Sequence, residues 1–205
     1  MSYIALYESI IAFPFFKNLA FLGWGSIKTG NPKYGIISRE GIRSKILVER
    51  TRDSSYWKDV GIIESYYDAS MDLVGVDPLF NLYGERWPLR TYQRPLPPSK
   101  CVLGGHTPES IVSDGCIISG GRVWRSILSP GVVVERGALV EESIIFDDVI
   151  IEPNSRIRRA IIDKEARIQA SAAIGYDAKA DKRRGCTVSE TGIVVVLKGV
   201  DIGAA

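Results

Sequence analysis

The residues that could do chemistry in this sequence are few, and the first of them is its single histidine. His106 lies in the run GGHTP at residues 104–108, a composition typical of a loop. One imidazole per chain excludes a histidine-rich metal site within one subunit. It also excludes most catalytic triads in which a nucleophile needs a base elsewhere in the sequence. We expect a surface histidine, and a functional role is the alternative.

A candidate metal ligand lies in YWKDVG at residues 56–61. An aspartate at a strand end, followed by glycine and then a helix, can bind a divalent cation because its carboxylate oxygen is a hard ligand. Such a cation would screen the charge of phosphates. By chemistry alone, the simpler role for Asp59 is a structural cap.

Charge is distributed unevenly along the second half of the chain. Residues 141–152 carry acids and no lysine or arginine, whereas bases outnumber acids between residues 156 and 184. Lysine and arginine donate charge-assisted hydrogen bonds to phosphate oxygens, so the basic segment could bind a phosphorylated metabolite. A solvated outer face is the alternative. The formal net charge of +2 argues against a dedicated nucleic-acid or anionic-membrane protein.

Composition and cysteine use indicate a soluble cytoplasmic chain. The 205 residues are 45% hydrophobic and 24% charged, which is enough for one large or two small domains. The longest apolar run, residues 10–16, contains Pro14 and is far shorter than the roughly 20 residues of a membrane helix. No secretory signal is expected. Because no CxxC pair occurs, we expect reduced thiols at Cys101, Cys116 and Cys186.

The elements that must position these residues are indicated by a 17-residue repeat. Three segments align at this offset: RVWRSIL at residues 122–128, LVEESII at 139–145 and RIRRAII at 156–162. The period fits neither a helix nor a heptad coiled coil, and the β-branched pairs favour strands. Stacked coils of three short strands would bury Val123, Val140 and Ile157 against one another. The repeat therefore predicts a parallel β-helix; a sandwich of antiparallel strands would not demand one fixed offset.

Upstream of the repeat, the sequence predicts one helix and one extended connection. Ile63, Tyr67, Met71 and Val74 are spaced by 4, 4 and 3 residues, which predicts an amphipathic helix with these side chains in the core. Residues 77–109 are rich in proline, which disfavours long helices and indicates a linker.

Five segments, in order, match the motifs of one enzyme family. They are residues 56–73 (YWxDVGTxxxYYxANMDL in the family), 82–92 (LYxxxWPIRTY), 113–120 (the opening of the β-helix), 160–163 (its last coils) and 191–196 (its closing strand). The matches span residues 56–205. On these motifs the sequence resembles ADP-glucose pyrophosphorylase, the glucose-1-phosphate adenylyltransferase of bacterial glycogen and plant starch synthesis.

The resemblance implies a two-part enzyme. A Rossmann-like nucleotidyltransferase domain joins ATP to glucose 1-phosphate and releases pyrophosphate, and a left-handed β-helix provides oligomer contacts and allosteric control. It implies Mg²⁺ as a cofactor, with Asp59 among the ligands, and an anionic sugar phosphate or similar metabolite as effector near Lys164 and Lys198. It implies a homo-oligomer, a tetramer in the family, or assembly with a full-length subunit. The handedness rests on the resemblance alone.

The resemblance also implies a division of the chain. Residues 1–76 correspond to a remnant of the nucleotidyltransferase domain with an unassigned insertion at 18–54, residues 77–110 to the proline-rich linker, and 111–205 to the β-helix. The family's GGxGxRL phosphate loop and FxEKP sugar-phosphate motif have no counterpart here, so we expect the chain alone to be catalytically inactive. Ile62 replaces a threonine of the family and removes a hydroxyl suited to capping the helix.

Two other functions are compatible with a solenoid. A hexapeptide-repeat acyltransferase uses a histidine base at a subunit boundary, but His106 precedes the predicted coils. Binding of acetyl-CoA would distinguish this function. A non-catalytic effector-binding or oligomerisation module is the other alternative, which co-purification with a full-length subunit would favour.

Overall fold

In the computed structural model, the described part of the chain comprises residues 60–78, 80, 82–83 and 94–204. The chain divides into two compact units, and the second, Val60–Val76 with Arg94–Ala205, contains most of these residues. Asp59 and the insertion predicted at 18–54 lie outside the described residues. No helix among the residues described is long and apolar enough to cross a membrane.

Short strands of two or three residues form three sheets, and the chain passes through them in turn. Sheet I contains, in the order of its neighbours, β1 (Lys100–Val102), β3 (Ile117–Ser119), β6 (Val133–Val134), β9 (Ile150–Ile151), β12 (Arg167–Ile168) and β16 (Asp201–Ile202). Sheet II contains β13 (Ala173–Ile174), β10 (Arg156–Arg158), β7 (Leu139–Glu141) and β4 (Arg122–Trp124). Sheet III contains β14 (Thr187–Val188), β15 (Val194–Val196), β11 (Ala160–Ile162), β8 (Ile144–Ile145), β5 (Ile127–Leu128) and β2 (Ile111–Val112).

The register of these sheets reproduces the repeat of the sequence. Val123 pairs with Val140, and Val140 pairs with Ile157, in parallel strands. Their side chains are fully buried, because alternate residues of each strand point to the inside of the coil and stack on the rung above. The predicted parallel β-helix with three strands per coil is confirmed.

The solenoid begins earlier than the predicted boundary at residue 111. Lys100 pairs with Ile117 through strand β1, so the first rung includes part of the expected proline-rich linker. The short strands need only a few residues without proline, and such a segment follows Pro98. The helix region, Val60–Val76, also groups with the solenoid rather than with the residues before it.

Near its end the chain leaves the solenoid and then returns to it. After β13 it forms helix α2 (Ala178–Arg183) and strand β14, which runs antiparallel to β15. Asp177 caps α2 by accepting hydrogen bonds from the backbone N–H of Lys179 and Ala180. Strand β15 then stacks on β11, so these two adjacent rungs are separated in sequence by two repeat lengths instead of one.

A buried ion pair fixes this excursion to the last rung. The Asp181 carboxylate is fully buried and accepts hydrogen bonds from Gly175 N and from Arg184 Nη2, at 3.0 and 2.7 Å. Arg184 also donates to the carbonyls of Ala173 and Gly203. Because both charges are hydrogen-bonded at several atoms, the pair satisfies the requirement that buried charges be compensated.

The predicted helix is present as α1 (Ile63–Asp72). Of the four side chains predicted to lie in the core, Tyr67 and Val74 are buried, whereas Ile63 and Met71 are half-buried. Tyr66, Ala69 and Ser70 of the helix are also buried. Ile62 occupies the N-cap position and makes no side-chain hydrogen bond there, as the replacement of threonine implied. The two tyrosines take the inner positions because the helix packs against the solenoid through them.

Sheet III is apolar on both faces. Leu128, Ile145 and Ile162 point into the coil, while their neighbours Ile127, Ile144 and Ile161 point outward. The outward isoleucines are nevertheless at most 4% exposed. Helix α1 is anchored beside this sheet, where Tyr67 donates a hydrogen bond from its hydroxyl to Glu142 O and Glu64 lies 3.5 Å from the Thr191 hydroxyl.

A ladder of serines lines the corner between sheets II and III. Ser126 Oγ accepts a hydrogen bond from Ser143 N, and Ser143 Oγ accepts one from Ala160 N, so each hydroxyl bonds the rung above. Each hydroxyl also donates to a carbonyl two residues earlier, that of Trp124 or Glu141. The ladder satisfies backbone groups that the turn leaves without a strand partner.

Candidate functional site

The two lysines predicted to contact an effector lie side by side at one corner of the solenoid. This corner joins sheet III to sheet I, and at each rung a backbone N–H donates to the carbonyl of the rung before. Glu165 N donates to Asp147 O, and Gly199 N donates to Lys164 O, both at 2.9 Å. Lys164 and Lys198 therefore occupy equivalent positions on adjacent rungs, roughly 5 Å apart along the solenoid axis. We call this site the lysine corner.

Each cation at the lysine corner has a carboxylate partner. Lys164 Nζ lies 3.5 Å from Asp147 Oδ2, and Lys198 Nζ lies 3.3 Å from Glu165 Oε1. One rung earlier, Arg94 forms a two-pronged pair with Asp148 at 2.6 and 2.9 Å. The basic side chains at this corner are therefore paired with carboxylates on successive rungs and do not form a cluster of unpaired positive charges.

The two lysines differ in exposure. The Lys164 side chain is 21% exposed, and its backbone N–H donates to the buried carboxylate of Asp163. The Lys198 side chain is 53% exposed and its partner Glu165 is 59% exposed. An exposed pair of this kind contributes at most about 1 kcal/mol, so an incoming anion can displace Glu165 from Lys198 at little cost.

Sequence reasoning identified the lysines but missed their partners. Asp147 lies one repeat before Lys164, so the repeat offset already indicated that the two side chains stand on adjacent rungs. The pair of Lys198 with Glu165 could not be found in this way, because the excursion through α2 lies between them.

The predicted metal ligand is not placed by the structure. Asp59 lies outside the described residues. Within residues 60–78 and 94–204, no group of three or more histidine, cysteine, aspartate or glutamate side chains is arranged to hold a metal ion. The Mg²⁺ site stays a prediction.

The histidine lies on the first rung. His106 is exposed, and its backbone forms an isolated parallel bridge with Arg122, in line with sheet II. It donates from N to Gly121 O and accepts from Val123 N, so its backbone continues the ladder although it belongs to no strand. Its placement on the surface agrees with the expectation of a surface residue. Among the described residues, no side chain is hydrogen-bonded to the His106 ring.

The cysteines are free, and two of them are chemically protected. Cys101 is exposed, whereas Cys116 and Cys186 are buried. Burial disfavours the thiolate and raises the pKa of Cys116 to about 11 and that of Cys186 to about 11. Cys116 also donates a hydrogen bond from Sγ to Ser129 O. Neither buried thiol is poised as a nucleophile at neutral pH.

Comparison with known proteins identifies relatives of this region. Residues 97–196 match a family model described as the GlmU-like, C-terminal hexapeptide. The C-terminal part of the chain is 49% identical over 159 residues to a glucose-1-phosphate adenylyltransferase of Rhodopirellula baltica, with 74% of this chain and 36% of that protein covered. It is 46% identical over 158 residues to the Anaeromyxobacter sp. enzyme of the same name, and 47% identical over 156 residues to that of Frankia casuarinae.

The match covers only part of each relative. The aligned region is 38% of both the Anaeromyxobacter and the Frankia proteins, so the chain spans well under half the length of the curated relatives it matches. The resemblance predicted from the motifs is confirmed for the C-terminal part of the chain.

Proposed function

Since the C-terminal part of this chain is homologous to glucose-1-phosphate adenylyltransferases, we propose that it forms the regulatory and oligomerisation part of such an enzyme. The observation that carries the proposal is the identity of 45–49% to several of these proteins over 151–159 residues of the C-terminal part of the chain. The complete enzyme would join ATP to glucose 1-phosphate, giving ADP-glucose for glycogen biosynthesis and releasing pyrophosphate. Mg²⁺ would assist that reaction with Asp59 among its ligands, and the enzyme would act in the cytoplasm.

The outer face of sheet I supports a role in assembly. Ile117, Val133 and Ile150 pair with one another on adjacent rungs and point away from the core. Ile117 is 42% exposed and the other two are half-buried, so the three form an apolar strip along the solenoid. A strip of this kind supports contact with another subunit, either a second copy of this chain or a full-length one.

The lysine corner supports a role in effector binding. Lys164 and Lys198 project from adjacent rungs, a spacing that allows two ammonium groups to contact one phosphate or two neighbouring phosphates. Glu165 competes for Lys198 as an internal anion. The effector would therefore be a phosphorylated sugar or acid whose charge exceeds that of one carboxylate, because it must replace Glu165 rather than fill an empty site.

Isothermal titration of the full chain with a sugar bisphosphate tests this site. Lys198→Gln should weaken binding at least fivefold because one cationic ligand is lost, whereas Glu165→Gln should tighten it because the competing carboxylate is removed. Lys100→Gln, at an exposed lysine on the first rung, is the matched control and should leave the affinity unchanged. Equal affinities for all four proteins would contradict effector binding at the lysine corner.

A further inference from the structure

A second charged surface lies on sheet II, away from the lysine corner. It consists of outward side chains on β4, β7 and β10 together with one that follows β13. We call it the arginine–aromatic face; its members are Arg122, Trp124, Glu141, Arg156, Arg158 and Tyr176.

Two aromatic rings on this face are partly exposed to solvent. Trp124 is 38% exposed and Tyr176 is 43% exposed. Arg125 lies over the Trp124 ring at 5.6 Å, and Arg156 lies over the Tyr176 ring at 5.0 Å. These cation–π contacts orient the rings without burying them.

The arginines of this face are not neutralised. Within the part of the chain that the structure describes, neither Arg122 nor Arg158 has a carboxylate within ion-pair distance, although Glu141 lies on the strand between theirs. Other basic side chains of the solenoid do pair with acids, as in Arg167–Glu152 and Arg94–Asp148, although some exposed ones, such as Arg136, do not do so among the described residues. Planar guanidinium groups that lack a carboxylate are ready to bind phosphate oxygens in a two-pronged geometry.

The register places three kinds of group in one line. Trp124 pairs with Glu141, and Glu141 pairs with Arg158, so the three side chains stand on consecutive rungs about 4.8 Å apart. The line reads aromatic ring, carboxylate, guanidinium. These groups match, in order, what a base, a ribose and a phosphate require: a stacking platform, an acceptor for ribose hydroxyls and a charge-assisted donor.

Tyr176 fixes the central group of this line. Its hydroxyl lies 3.4 Å from Glu141 Oε2, so the ring reaches back over two rungs to the carboxylate. The turn that allows this begins at Gly175, where a Cβ atom would overlap the carbonyl oxygen of Arg158 and a side chain is therefore impossible. Glycine at this position brings Tyr176 onto the face beside Arg158.

We propose that the arginine–aromatic face binds a free nucleoside phosphate, with the base on Trp124, the ribose hydroxyls on Glu141 and the phosphates on Arg158. A neutral sugar polymer would leave the arginines without a counter-charge. A duplex nucleic acid would need a wider positive field than a chain of net charge +2 supplies. The site is separate from the lysine corner, and the proposal does not depend on the proposed function.

Titration of the full chain with ADP tests this proposal. Trp124→Ala and Arg158→Gln should each weaken ADP binding at least tenfold, and Glu141→Gln should weaken it several-fold, because each removes one of the three groups in the line. Arg136→Gln, an exposed arginine at another corner, is the matched control and should leave the affinity unchanged. Circular dichroism of each variant reports the fold, which substitutions on this outer face should leave intact.

Competing ligands separate this site from others. Inorganic pyrophosphate should bind at least tenfold more weakly than ADP because it has no base to stack. The double variant Lys164→Gln/Lys198→Gln should bind ADP as the wild type does, since it alters only the lysine corner. Absence of ADP binding at millimolar concentration, or wild-type affinity in Trp124→Ala and Arg158→Gln, would overturn the proposal. Tighter binding of a single-stranded oligonucleotide than of ADP would assign the face to nucleic acid instead.

Discussion

The outer faces of sheets II and III differ although the same repeat builds both. Within residues 156–162, Arg158 points outward from sheet II and is exposed, whereas Ile161 points outward from sheet III and is 1% exposed. Both residues flank inward positions of one core, Ile157 and Ile162. The repeat therefore determines which residues point into the coil, while the residues that point outward depend on whether another element covers the sheet.

The two sheets therefore contribute differently to the protein: the outer face of sheet III contributes to folding stability, and the outer face of sheet II is available for binding. On sheet III, burial of the outward isoleucines removes apolar surface from water and stabilises the fold. On sheet II, exposed side chains contribute little to folding, because they make few contacts that unfolding would lose. The open face can therefore carry binding groups without loss of stability.

The strongest test of this comparison is a pair of truncations on neighbouring strands of one coil. Ile161→Ala should lower the free energy of unfolding by about 2–5 kcal/mol, since it removes buried methylenes and leaves a cavity at this face of sheet III. Arg158→Ala, on the open face of the preceding strand, should change it by about 0.5 kcal/mol or less. Urea denaturation followed by circular dichroism measures both. Similar losses for the two variants would show that sheet III is not covered as described.

A second test addresses the corner where the two sheets meet. Ser143→Ala removes a hydroxyl that donates to Glu141 O at 2.6 Å and accepts from Ala160 N at 3.2 Å. The variant should lose about 1–3 kcal/mol, because the buried N–H of Ala160 keeps no other partner in the ladder. Ser110→Ala makes the same change at the exposed end of the ladder, where water can replace the hydroxyl, and should cost less. A larger loss for Ser110→Ala would contradict the ladder's dependence on burial.

The smallest expected effect concerns the thiols and pH. In the folded chain at pH 8, Cys101 should react with a thiol reagent while Cys116 and Cys186 do not, and denaturant should expose all three. Folding raises the pKa of each buried thiol from 9.0 to about 11, so the folded state holds these protons more tightly than the unfolded state. Their contribution to stability is therefore complete below about pH 9 and is lost as the pH rises towards 11.

A melting series from pH 8 to pH 11 measures the same linkage. The midpoint temperature should fall over this range, and the fall should be smaller in Cys116→Ala. Rapid reaction of more than one thiol in the native chain, or a midpoint that rises with pH, would show that the two side chains are not buried.

The main architecture could be predicted from sequence because it repeats. One constant offset specified the stacking of Val123 on Val140 and Ile157, and the β-branched pairs specified strands. Helix α1 was also predictable from its spacing, but only two of its four predicted core residues, Tyr67 and Val74, are buried. Tyr66 and Ser70 are buried because of what the helix packs against, and helical periodicity alone does not contain that information.

The candidate sites, too, could be predicted from the sequence only in part. Lys164 and Lys198 were identified by resemblance, and the offset to Asp147 was already visible in the repeat. Trp124, Glu141 and Arg158 are also spaced by the repeat offset, so their alignment could be predicted from the sequence. That these side chains form an exposed surface could not be predicted, because the sequence does not show that sheet II is left uncovered. Asp59 and its predicted Mg²⁺ lie outside the described residues and stay predictions.

By itself, the sequence determined the coil, its register and the inward side chains, because a periodic pattern of apolar residues has one way to stack that buries them all. Only the tertiary structure decided that Lys198 lies next to Lys164. In sequence they are two repeats apart, but the segment with α2 and β14 leaves the solenoid between them. Because of this excursion, one repeat length of sequence does not form a rung of the solenoid. No local sequence pattern indicates at which residue the chain rejoins the solenoid.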